Sequence, residues 1–182
     1  MESGERTRSN NQEPTHTSPP PGDPSKMEPI VDASGHADTH LDCEGNPFTY
    51  EPEKTVDGKD KTAWRVPWNS EDEWIQLDYT RPVAVSAIGI IPGHDKIDAT
   101  CEPDIDRFYQ LYVVRRVVIT FSDENKTVKD AQFDHDRRLQ FVRLDSPITT
   151  KSVRIEIIDA YPPTSDQEPV HEIAISEIEV RR

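Results

Sequence analysis

The sequence predicts an all-β protein, an antiparallel β-sandwich of the jelly-roll kind, behind a polar, proline-rich leader. Three observations carry that expectation. Apolar alternations with a period of two recur from Glu73 onward, each bounded by Pro, Gly, Asp or Asn. No stretch repeats its apolar residues at helical spacing, and the connections are too short or too polar for the dozen-residue crossovers of a parallel α/β sheet. The large apolar residues are also confined to one part of the chain, as one packed domain plus a tail requires.

The leader is assigned to residues 1–41. That segment holds no Phe, Trp or Tyr, its only large aliphatics are Ile30, Val31 and Leu41, and six of the 16 prolines fall there. Such a composition cannot bury enough apolar area to offset about 1–2 kcal/mol of backbone entropy per residue, so it reads as a disordered linker. The domain is assigned to residues 42–182.

Within the domain each strand has its own signal. Glu73 to Tyr79 alternates with Ile75, Leu77 and Tyr79 on one face, and Arg81-Pro82 is read as its end. Val83 to Ile91 is a nearly continuous apolar run stopped by Pro92-Gly93. A polar loop from His94 to Tyr112 follows. Val113 to Phe121 is β-branched and places Val117, Ile119 and Phe121 on one side. Ser122-Asp123-Glu124-Asn125 is a hairpin turn into Thr127 to Phe133, so Asn125-Lys126-Thr127 is read as turn rather than as a glycosylation site. Leu139 to Leu144, Ser152 to Ile158 and Ile173 to Val180 complete the set.

The charge excludes several partners. The 182 residues carry 21 basic and 35 acidic side chains, a net −14, of which −4 lies in the leader and −10 in the domain. Phosphate backbones and anionic membrane surfaces are repelled by such a chain, and no basic stripe interleaved with aromatics offsets this. No apolar run reaches the 18 residues of a spanning helix, and the N-terminus lacks the apolar core of a signal peptide. Catalytic motifs are also missing: there is no Gly-x-Ser-x-Gly, no Cys beside a His and no metalloprotease pattern. The expectation is a non-catalytic binding module.

Three features carry candidate chemistry. In Val56-Asp57-Gly58-Lys59-Asp60-Lys61-Thr62 a tight Asp-Gly turn brings Asp57, Asp60 and the Thr62 hydroxyl together. Oxygen ligands from one loop suit calcium, but Asp-Gly turns are common and a turn stapled by its own side chains, with no ion, is the favoured reading of these residues alone. The loop from His94 to Tyr112 mixes aromatic faces with carboxylates and a guanidinium, the groups that hold sugar hydroxyls. His94, Asp95, Asp106, Arg107 and Tyr109 are its candidate ligand contacts, and Trp68, in a neighbouring loop, is the candidate exposed aromatic. In the plainer alternative Phe108 and Tyr112 pin the loop to the core and its acids are solvated. Trp64 reads as core, and Trp74 lies on the strand face opposite Ile75. Cys43 and Cys101 are either two buried thiols or one disulfide closing a long loop, the latter requiring an oxidising compartment.

The words Cys43-Glu44-Gly45-Asn46 with Tyr50, Asp57 to Arg65, Ile91-Pro92-Gly93-His94-Asp95-Lys96, Cys101, Asp106-Arg107-Phe108, Arg115-Arg116-Val117 and Ala174-Ile175-Ser176-Glu177-Ile178 appear in this order. The region from Asp42 to Val180 thereby resembles the discoidin-like sandwich modules. These include coagulation-factor type C domains and bacterial carbohydrate-binding modules with a galactose-binding-domain-like fold. It resembles most the glycan-binding (translocation) domain attached to NAD-glycohydrolase toxins. The resemblance implies a Cys43–Cys101 bridge and a structural Ca2+ held by Asp57, Asp60, Thr62 and Glu177. It further implies glycan or cell-surface polysaccharide binding by a monomeric module of an exported or cell-surface bacterial protein, with an upstream domain or anchor. NAD hydrolysis is not carried over, because in that family it resides in a separate domain. The competing expectation is a structural or protein-interaction module with no glycan ligand.

Overall fold

The computed structural model describes residues 27–69 and 72–182. Among the described residues the strands, in chain order, are β1 Ile30–Ala33, β2 His40–Leu41, β3 Pro47–Phe48, β4 Trp64–Pro67, β5 Trp74–Ile91, β6 Ile97–Asp98, β7 Ile105–Asp106, β8 Tyr112–Phe121, β9 Val128–Gln132, β10 Gln140–Tyr161, β11 Glu172–Ile175 and β12 Glu177–Arg181. A 3-10 turn, Pro52–Val56, and one α-turn, α1 Arg107–Gln110, complete the list. The all-β expectation holds: eight strands form one strongly bent sheet in the order β1-β5-β10-β8-β11-β4, with β12 on β5 and β9 on β8. All its ladders are antiparallel except β11 with β8.

Two long strands make the sandwich. The first part of β5 pairs with β1 and the last part of β10, while its second part pairs with β12 and the first part of β10. Both strands therefore belong to both layers and must bend between them. The bend in β5 falls on the predicted break. Its ladder with β10 runs from Trp74↔Glu156 to Asp78↔Ser152 and resumes at Val83↔Thr150, so the four residues from Tyr79 to Pro82 oppose Lys151 alone. Pro82 has no N–H to give a ladder, and a bulge there turns the strand rather than ending it. Period-two alternation then fills the space between the layers: Ile75 and Leu77, Val117, Ile119 and Phe121, Val153, Ile155 and Ile157 are all buried. Each is worth about 1.5–3 kcal/mol of transfer free energy. Trp64 is in this core, its indole N–H donating to the Gly35 carbonyl at 2.7 Å.

The final layer crossing takes one residue. Ser176 separates β11 from β12, is fully buried, and donates its N–H to the Ile91 carbonyl at 3.2 Å.

Residues 30–41 correct the predicted boundary. Ile30 to Ala33 pair with Asp78 to Ile75, Val31 and Ala37 are buried, and the Ala37 N–H donates to the Arg65 carbonyl at 2.7 Å. An edge strand needs only one inward side chain to hold its place, so Val31 suffices in a segment of low apolar content. The predicted leader before Met27 lies outside the described residues.

Candidate functional site

One end of the sandwich is built from the 94–112 loop, which is more ordered than a loop signal implies. β6 and β7 form a small ladder, Ile97↔Asp106 and Asp98↔Ile105, and α1 follows. Asp106 starts α1 by accepting the Phe108 N–H at 3.1 Å. The bridge implied by the resemblance is present, joining Cys101 to Cys43 in the turn between β2 and β3. In that turn Asp42 takes the N–H groups of Glu44 and Asn46, and Gly45 sits at φ +88°, where a side chain would be strained.

The predicted contact residues separate into those the fold exposes and those it spends. Tyr109 is 41% exposed. Its ring stands edge-on to Phe108, at 5.3 Å between centroids, and to His135, at 5.8 Å. His135 stacks between Phe108 and Tyr161. The Arg137 guanidinium lies 5.2 Å from the Phe108 ring and 5.4 Å from the Tyr109 ring. Arg137 also joins two predicted residues, reaching Asp106 at 2.6 Å and Asp95 at 3.2 Å. The Tyr109 carbonyl accepts the N–H groups of Thr164 and Ser165, so the 162–171 connection is tied to α1. Between them lies an open groove of about 530 Å3, lined by Pro103, Asp104, Asp106, Tyr109 and residues 164–167.

His94, Asp95 and Arg107 are not surface contacts. His94 is 3% exposed and its Nε2 lies 3.1 Å from the Lys61 carbonyl. Burial, helped by the Arg65 charge, lowers its pKa from 6.5 to about 3, so the ring is neutral. Asp95 is buried between Lys61, at 2.8 Å, and Arg137. Its backbone N–H donates to the Ser176 hydroxyl at 3.0 Å. Arg107 turns to buried Asp98, at 2.9 Å, and to Gln110. The reason is local: after Pro92 the chain runs beneath the loop instead of over it. At Gly93 a Cβ would come within 2.8 Å of the Phe108 ring.

Trp68 also departs from expectation. It is half-buried and packs on the core and on Tyr112, 6.5 Å away. Its N–H donates to the His171 carbonyl, continuing the β4–β11 pairing and turning the ring inward.

His135 and Arg137 were not anticipated. Their signal was the polar word Asp134-His135-Asp136-Arg137-Arg138 between two apolar alternations, which reads as an ordinary turn until the fold brings it against α1.

The Asp57 turn is stapled by its own groups. The Thr62 hydroxyl donates to the Asp57 carboxylate at 2.9 Å, as does the Lys59 N–H, and Gly58 takes φ +72°. Asp60 instead faces Lys61, at 3.9 Å. Among the described residues no three His, Cys, Asp or Glu converge as a metal site, so the predicted four-residue set does not assemble. Asp57 and Glu177 do share a pocket. Burial, and then the Asp57 charge, raise the Glu177 pKa to about 7, and its Oε2 is shut from solvent without a donor. A carboxylate pair with an orphaned oxygen has the donor chemistry of a hard-cation site.

A sequence model described as NAD glycohydrolase translocation F5/8 type C domain matches residues 31–181. No curated protein matches the chain. Among solved structures, the family 32 carbohydrate-binding module of C. perfringens NanJ, in complex with galactose, has a TM-score of 0.56 at 16% identity. That match covers 83% of this chain and 91% of the module. A pectin-binding carbohydrate-binding module gives 0.53 at 19% identity, covering 86% and 93%. CpGH89CBM32-5 of Clostridium perfringens, in complex with GalNAc-β-1,3-galactose, gives 0.53 at 12%, covering 83% and 93%. At these identities the likeness is one of fold.

Proposed function

The chain belongs to the NAD glycohydrolase translocation F5/8 type C domain family, and from that premise we propose that it is a non-catalytic module that binds a glycan beside Tyr109, within an exported or cell-surface bacterial protein. The observation that carries the reading is Tyr109 itself, an exposed aromatic face braced by Phe108, His135 and Arg137 at the edge of a groove. A braced ring loses little entropy when a sugar face stacks on it. The complexes of like-folded modules with galactose and with GalNAc-β-1,3-galactose support the ligand class. Binding rather than catalysis is supported by the histidines near the groove. His94 is held neutral against backbone and His135 lies between two rings, and among the described residues neither is hydrogen-bonded to a Ser, Thr or Cys. The disulfide supports an oxidising compartment. A structural calcium ion held by Asp57 and Glu177, without Asp60, is the second part of the proposal.

A glycan-array screen followed by calorimetry tests the main reading. Tyr109→Ala weakens a hit glycan by about 1–3 kcal/mol, while Lys126→Ala, in the β8–β9 turn, leaves it unchanged. If both variants bind like the parent, the groove is not the site. If no glycan binds the parent, a structural or protein-interaction role replaces this one.

A further inference from the structure

We propose that the groove beside Tyr109 selects glycans bearing free, protonated amino groups over neutral and acidic ones; this rests on the glycan reading above. The groove is lined by three carboxylates and by no Lys, Arg or His among the described residues. Asp104 and Asp166 are exposed on its wall, and their carboxylates meet neither a cation nor a hydrogen-bond donor among the described residues. Asp106 is the third acid, and the nearby cation does not neutralise the set. The two terminal nitrogens of Arg137 are divided between Asp106 and Asp95, so one positive charge already faces two negative ones.

Gln167 holds this wall by giving its side-chain N–H to the Asp104 carbonyl at 3.2 Å, and the carboxylates of Asp104 and Asp166 are left to accept from a ligand. An ammonium group offers three donors and no acceptor. A 2-amino sugar presents both an apolar ring face for Tyr109 and an ammonium for the acids. An N-acetylated sugar presents the same face with a neutral amide, and a sulfated or uronic sugar adds a charge of the wrong sign in a chain of net charge −14.

Calorimetric titration of the full chain with a glucosamine oligomer and its N-acetylglucosamine counterpart of equal length tests this, in a mildly acidic, low-salt buffer where the amines are charged. The amine form binds about three- to tenfold more tightly, the advantage of one or two exposed ion pairs, and added salt shrinks the difference. Asp104→Asn with Asp166→Asn brings the two oligomers to parity without changing the melting temperature, since both side chains are exposed. Tyr109→Ala weakens both oligomers alike. Equal affinity in the parent, or an amine preference that survives the double substitution, overturns the inference. A neutral or acidic glycan that binds at Tyr109 while the amine gains nothing overturns this selectivity and leaves the glycan reading standing. Failure of every glycan overturns both.

Discussion

His94 carries the largest perturbation among the groups near the site, and the perturbation has a sign. Its folded pKa of about 3 lies below its ordinary 6.5. Between those values the unfolded chain takes up a proton that the folded chain refuses. The neutral ring therefore contributes full stability above about pH 6.5, and that contribution is lost as the pH falls towards 3, on the order of 5 kcal/mol in all. Glu177, raised from 4.5 to about 7, works against this slope, since its contribution is full below 4.5 and disappears as the pH rises through 7. The difference between parent and variant isolates the histidine. His94→Gln flattens the loss of denaturant stability on acidification relative to the parent, and parallel curves would show that His94 is already protonated in the fold. Gly93 tests packing at the neighbouring position. Gly93→Ala drives a methyl into the Phe108 ring and costs about 1–3 kcal/mol in chemical denaturation. Because Phe108 braces Tyr109, the same change weakens glycan binding; unchanged stability would mean that the ring moves aside freely.

The Asp57–Thr62 turn and the start of β12 line one pocket although Glu177 lies 119 positions after Gly58 in the sequence. The calcium ion proposed between Asp57 and Glu177 would bind the folded state alone, so the expected outcome is a melting temperature that falls with a chelator and recovers with calcium. Glu177→Gln abolishes that response while removing the like-charge repulsion. A melt indifferent to chelator and calcium leaves the hydrogen-bonded turn as the complete account of these residues. Strands were readable from the sequence wherever one face is buried: Ile75 and Leu77, or Val117, Ile119 and Phe121, alternate visibly with polar neighbours. Strand ends were not. Pro82 and Ser176 interrupt patterns that the fold carries onward, the first by a bulge within β5, the second by passing from one layer to the other.

The ordered body reaches further towards the N-terminus than composition implies, and this sets its stability. A truncation beginning at Asp42 removes β1, the Gly35 carbonyl that receives the Trp64 indole N–H, and the Ala37–Arg65 hydrogen bond. It is expected to lose about 3 kcal/mol or more relative to a truncation beginning at Met27, measured by urea unfolding. Equal midpoints would return residues 30–41 to the leader. By itself the sequence determined the all-β class, the segments of the main core strands and the turn chemistry at Asp57 and Asp123, because period-two burial and turn preference are local. It also marked the 94–112 loop as the place where aromatic and charged groups gather. Only the tertiary structure decided which of them face solvent. His94, Asp95 and Arg107 are consumed by partners up to 81 residues away in sequence, while Arg137 and His135, from another connection, complete the setting of Tyr109. Burial and pairing of a side chain depend on which distant segments the bent sheet brings over it, and no local pattern encodes that.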